Sequence, residues 1–167
     1  MNNYDLSVPL FLKGFKNMLK WLDKAEVFAA SDADISGLIS ARLAPDMFTL
    51  AGQIQVASDM AKSCAARLSG VGAPRFEDDE ETLSDLRLRI TKTIDFLDSL
   101  TAEQFEENAN AEITIVLKQG VLKFKTLEFL TQFALPNFYF HLTTAYDILR
   151  HKGVPLGKMD YLGVFDN

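Results

Sequence analysis

Residues 127–153, LEFLTQFALPNFYFHLTTAYDILRHKG, decide how this chain folds. Between Phe129 and Leu142 there is no lysine, arginine, aspartate or glutamate. A helix apolar on nearly every side is enclosed on nearly every side. A helix from about Thr126 to Lys152 is therefore expected at the centre of a helical bundle. It stops at Gly153-Val154-Pro155, where glycine supplies the left-handed turn and proline prevents continuation. Pro136 lies inside this pattern. It removes the N–H that would bond to the Gln132 carbonyl and its ring strikes that turn, so a kink near 132–136 is expected.

Both histidines of the chain fall in this stretch. Leu130, Ala134, Asn137, His141, Ala145 and Ile148 share one helical face, which makes Asn137 and His141 neighbours at i, i+4 on an otherwise apolar surface. A buried polar group without a partner costs about 1–3 kcal/mol. The two should therefore bond each other or something opposite. They are either a core pair that fixes helix register or a small polar site with His141 as base, donor or ligand. His151, between Arg150 and Lys152 in the last turn, reads as a surface partner of the helix dipole. From the second helix, Gln53 shares a side with Leu50, Ala57 and Met60 and points partly inward, so it is the candidate to face Asn137 and His141. Gln55 aligns instead with Asp59 and Lys62, which reads as a solvated row.

Working outward, the first helix should start at Ser7 as N-cap, with Pro9 in the first turn, and run to about Ala30. Its stripe is Val8, Phe11, Phe15, Met18, Leu19, Leu22 and Ala25, with Trp21 beside it at a helix–helix or subunit contact. Ser31, Asp32, Ala33, Asp34, Ser36 and Gly37 suggest a brief helical turn ending near Ala41. Asp46 is the expected cap of the second helix, whose alanine-rich stripe (Ala51, Ala57, Ala61, Ala65) lets a neighbour approach closely. That helix ends at 69–74, SGVGAP. A third helix is expected to begin within the acidic run 77–81, EDDEE, which solvates the helix start, and to carry Leu83, Leu86, Ile90, Ile94, Leu97 and Leu100 inward. Thr101 and Gln104 form a capping-box pattern for one further turn. Residues 112–125, EITIVLKQGVLKFK, change period and read as a β-hairpin lying on the helices. The fold expected is all-α: a four-helix bundle with a short β-hairpin before the last helix, forming a single domain over residues 1–167.

Composition narrows the function classes. Net charge is −6, with no lysine- or arginine-rich stripe, so neither nucleic acid nor an anionic membrane is an expected partner. No apolar run reaches the roughly 18 residues of a membrane span, and the start MNNYDLSVPLFL lacks the features of a signal peptide. A cytoplasmic location is expected. The lone Cys64, set among alanines, excludes an internal disulfide and a multi-cysteine zinc site, and reads as a packed thiol.

The strings LAPDMF (43–48), ALPNFYFH (134–141), TTAYDILRHKGVPLGK (143–158) and DYLG (160–163) resemble the DinB/YfiT-like superfamily, and within it a bacterial and fungal family of unknown function. The resemblance implies a four-helix bundle of DinB-like type, often homodimeric. It also implies a metal held by three histidines, one on helix two and two on helix four, in proteins that include thiol-dependent transferases. The second helix-four position matches His141, ahead of Leu149, Arg150 and Gly153; the first falls on Asn137, and the helix-two position on Gln53. Two of the three ligands are thus amides, and with two histidines in the whole chain a three-histidine site within one subunit is impossible. No metal or other cofactor is expected. The expected site is Gln53, Asn137 and His141 as a degenerate metal site binding a small ligand or serving structure alone, with Tyr139 or Tyr146 at its rim. The alternative is an enzyme of the DinB-like class using His141, a metal-dependent or thiol-dependent transferase or hydrolase, with no catalytic set identifiable.

Overall fold

The computed structural model describes residues 2–31, 37–117 and 119–164. Helix α1 (Val8–Ala30) buries Val8, Phe11, Phe15, Met18, Trp21, Leu22 and Ala25 completely, the stripe expected from spacing with Trp21 added and Leu19 at its margin. Ser7 takes the N-cap position, but its hydroxyl donates back to the Asn3 carbonyl (2.5 Å) and caps nothing ahead of it. Helix α2 (Leu50–Ser69) starts later than the sequence suggested. Its cap is Thr49, whose Oγ1 accepts from Gly52 N–H (3.2 Å), and not Asp46. The reason lies in the turn before it. Leu50 and Ala51 donate to the carbonyls of Ala41 and Ile39, so the 37–41 turn satisfies the first free amides and sets the start. Residues 32–36 of the expected turn lie outside the described residues.

Helix α3 (Leu83–Asp98) also starts after the acidic run, capped by a reciprocal Thr82–Asp85 box. Helix α4 (Ala102–Glu107) follows Thr101, whose amide donates to Gln104 Oε1 at 2.9 Å. Strands β1 (Glu112–Leu117) and β2 (Gly120–Lys125) form the expected antiparallel hairpin, with Ile113 opposite Phe124. Ile113 is buried and Phe124 half-buried against Phe129 and Phe133, which seats the ribbon on the helices.

The last long helix is composite: α5 (Thr126–Glu128), a π-helical segment (Phe129–Ala134) and α6 (Leu135–His151). The disturbance expected at Pro136 is therefore a π-helix, closed by Leu135 N–H on the Leu130 carbonyl. Pro136 then stands in the first turn of α6, where the missing N–H costs least. Helix α6 packs along α2 and against α1, and α3 lies against both α1 and α2. At the α1–α6 crossing, a Cβ placed on Gly14 would lie 2.8 Å from Phe138 Cζ. Glycine there lets the Phe138 ring sit edge-on to Phe11 and Phe15, at 4.8 and 5.3 Å.

After Gly153 the chain turns back and α7 (Lys158–Leu162) docks on α1. Trp21 Nε1 donates to the Asp160 carbonyl and Asn17 Nδ2 to that of Tyr161, both at 2.9 Å, while the Tyr161 ring stacks on Trp21. The apolar side chains of Leu156, Met159, Tyr161, Leu162 and Phe165 predict that the tail docks on its own subunit or on a partner. Leu156 is buried, Met159 is exposed, and Phe165 lies outside the described residues. Among the described residues no helix is long and apolar enough to cross a membrane.

Candidate functional site

The long contact between α2 and α6 brings two of the three sequence candidates together. His141 Nδ1 lies 2.6 Å from Gln53 Oε1, and both side chains are buried. The direction of that bond follows from a second one. Gln53 Nε2 donates to the Phe48 carbonyl (3.2 Å), and a carbonyl can only accept. With the amide nitrogen so committed, the amide oxygen faces His141, and Nδ1 must carry the hydrogen. A neutral imidazole protonated at Nδ1 has its lone pair on Nε2. Nε2 forms no bond to the protein among the described residues, and it is not one of the sealed atoms without a partner. Burial pushes the His141 pKa down, which keeps the ring neutral and the lone pair free near neutral pH.

Asn137 behaves differently. It lies one turn before His141 and is half-buried, yet it bonds neither His141 nor Gln53. Its Oδ1 is sealed from solvent and has no hydrogen-bond partner. Of the two expected arrangements, a bond to each other or to something opposite, His141 takes the second through Gln53, and the Asn137 oxygen takes neither. Two residues carrying no sequence assignment complete the surroundings. Phe48 and Phe140 place their rings 6.2 and 5.1 Å from the imidazole, and both are more than half exposed. The visible sign was only that Phe140 precedes His141 and Phe48 precedes the Gln53 helix. Tyr139 and Tyr146 lie elsewhere. Tyr139 lines a cleft of about 200 Å³ with Gly14, Leu142 and Tyr161, and Tyr146 packs on Trp21. Burial, reinforced by Tyr161, raises the Tyr139 pKa.

The row Gln55, Asp59, Lys62 is solvated only in part: Asp59 is exposed, Gln55 half-buried and Lys62 buried. Arg89, 2% exposed, projects from α3 between them and the acidic run. Its guanidinium meets Asp59, Asp78 and Glu80 at 2.8, 2.9 and 2.8 Å. Gln55 donates to Glu80 (2.8 Å), and the buried Lys62 pairs with Asp59 under the Phe76 ring. The acidic run therefore lies against α2 and α3 as counter-charge for a buried arginine. Burial works to raise the Glu80 pKa, but the hydrogen bonds from Arg89 and Gln55 outweigh it and hold it low. The visible sign was Arg89 on the same face as Leu86 and Thr93.

The donor set at the α2–α6 site does not fit a zinc- or nickel-type metal. It comprises one imidazole and two neutral amides, and the Gln53 oxygen is already used by the imidazole N–H. Among the described residues no three His, Cys, Asp or Glu side chains are grouped to hold a metal ion. Cys64 is fully buried, and burial raises its pKa far above that of a reactive thiol.

Four long helices, a hairpin before the last, and a polar cluster where the second helix faces the last define a bundle of the DinB/YfiT-like class. A sequence profile described as a domain of unknown function (DUF1993) matches residues 3–162, and the chain belongs to that family. The chain is also similar to a DinB family member protein from Shewanella denitrificans. That crystal structure is 43% identical, with 98% of this chain and 93% of that chain covered and a TM-score of 0.91. No curated protein matches.

Proposed function

We propose that this protein is a metal-free DinB-like bundle whose degenerate metal site, Gln53, Asn137 and His141, binds a small ligand through hydrogen bonds. The observation that carries the reading is the relay from the Phe48 carbonyl through the Gln53 amide to His141 Nδ1. It occupies the position where the resemblance would put a helix-two ligand, and turns the histidine into a neutral acceptor with a free Nε2. A purely structural pair would have no need of the unmatched Asn137 oxygen beside it, since an orphaned buried acceptor costs about 1–3 kcal/mol. A homodimer belongs to the same reading, supported by the resemblance. The deciding experiment is metal analysis of protein purified without an affinity tag, followed by zinc and nickel titration. Sub-stoichiometric metal and no saturable binding at His141 are expected. One tightly held metal per chain, lost in His141→Ala, overturns the reading.

A further inference from the structure

A cleft of about 200 Å³ lies where α6 and α7 meet α1. Leu10, Gly14, Leu142 and Leu162 give it an apolar lining, completed by Tyr139 and Tyr161. Its walls are fixed by contacts of their own. The Tyr161 ring stacks on Trp21, and its hydroxyl bonds Thr143 Oγ1 at 2.8 Å. Gly14 meets Phe138 with no room for a Cβ, which holds α1 close to α6 along the cleft. A cavity of about 150 Å³ takes one benzene, so this space suits a single aromatic ring. Tyrosine rings favour that occupant through edge and offset contacts. Burial and Tyr161 raise the Tyr139 pKa, so its phenol stays a neutral donor that does not repel an anion.

Positive charge adjoins this space. A groove of about 630 Å³ shares Lys13 and Asn17 with the cleft and adds Lys16 and Lys20 to its lining. The three lysines are exposed and follow one another at i, i+3 and i+7, each beside the next on the helix surface. Lys24 ends the row, because Asp160 holds it at 2.7 Å. Among the described residues no aspartate or glutamate lines either space. In a chain of net charge −6 the row is a local positive field. It is too short for a nucleic acid or a membrane surface, and it matches one anionic head group.

We infer that the cleft and the lysine row together form a binding site for a small aromatic acid. Its ring enters between Tyr139 and Tyr161, and its carboxylate or phosphate lies on Lys13 and Lys20 with Lys16 beside them. The site is separate from the Gln53–His141 relay. Tyr139 and His141 are two residues apart on α6, about 200° around the helix, and His141 faces α2 while Tyr139 faces α1.

The test is titration of the folded protein, followed by calorimetry and by proton–carbon NMR of the tyrosine rings. The probes are 3-phenylpropionate and phenyl phosphate. The controls are 3-phenylpropanol, which lacks the charge, and acetate and inorganic phosphate, which lack the ring. Saturable shifts at Tyr139 and Tyr161 are expected with at least one aromatic acid, and the tighter of the two assigns the head group. The alcohol should bind about fivefold more weakly. Lys13→Gln combined with Lys20→Gln should weaken the acids by about the same factor, the worth of two exposed ion pairs. Tyr139→Ala should cost about tenfold through lost ring contact. Added salt should weaken the acids and leave the alcohol unchanged. Equal affinity for acid and alcohol, unchanged affinity in the folded lysine variant, or no shift at either tyrosine overturns the inference. Acetate or phosphate binding as tightly as the aromatic acids reduces the site to surface charge and overturns it as well.

Discussion

Replacing Gln53 by leucine tests the relay most sharply by stability. Gln53 is 1% exposed and uses both ends of its amide: Nε2 on the Phe48 carbonyl, Oε1 on His141 Nδ1. Leucine is of similar size, so little cavity is left and the cost comes from polar groups. The His141 N–H and the Phe48 carbonyl both lose a partner, at about 1–3 kcal/mol each when sealed from water. Phe48 is largely exposed, so its carbonyl can recover water, and apolar burial of the leucine offsets about 1 kcal/mol. A net loss of up to about 2 kcal/mol is expected. His141→Leu should cost less, about 1 kcal/mol, since Gln53 keeps its bond to Phe48 and only Oε1 is left over. The double variant should be more stable than the sum of the two losses, by about 1 kcal/mol or more, because removing both partners of a bond is nearly neutral. Urea denaturation at constant m-value measures all four corners of this cycle. Additivity within about 0.3 kcal/mol, the resolution of such cycles, would refute the bond as the link between α2 and α6.

Three further expectations concern other parts of the molecule. Glu80→Gln should lower stability at pH 7. The folded pKa of Glu80 lies below its unfolded value of about 4.3, so its contribution is complete above that value and disappears as pH falls through the folded one; urea curves of wild type and variant should converge in acid. Gly14→Ala should destabilise by about 1 kcal/mol despite alanine's better helix propensity, because its Cβ meets a Phe138 ring held by Phe11 and Phe15; thermal unfolding would show it, and a rise in Tm would contradict the close approach. Gln53→His combined with Asn137→His places three imidazoles on the two facing helices and should create a zinc site of micromolar affinity or better, read by calorimetry. No zinc binding by the folded double variant would remove Gln53 from the helix-two position.

What could be read ahead of the structure was whatever depends on spacing within one element. The α1 stripe, the change of period into β1 and β2, and the Thr101–Gln104 box needed only local rules. The facing of Gln53 and His141 was legible because each shares a helical side with core residues. Beyond that, partners decide. Thr49 and Asp46 are equally good caps in isolation, and the 37–41 turn selects Thr49 by bonding the next two amides. Arg89 shares a helical face with Leu86 and Thr93, but its burial is decided only by the acidic run that lies beside it, and Lys62 leaves solvent with it. Asn137 was expected to bond His141 or a group opposite, and its oxygen does neither. The competing amide came from another helix, and i, i+4 proximity cannot rank it. The π-helix before Pro136 is a backbone answer to a clash that sequence showed only as an expected kink.

The tautomer of His141 is the measurement closest to the centre of all this. Long-range nitrogen–proton NMR of the imidazole rings at pH 7 assigns the protonated nitrogen of each histidine. The Gln53 bond predicts a neutral His141 ring with hydrogen on Nδ1 and a bare Nε2, and loss of that preference in Gln53→Leu. Hydrogen on Nε2, or a ring fully protonated at pH 7, would contradict the relay and the acceptor site built on it.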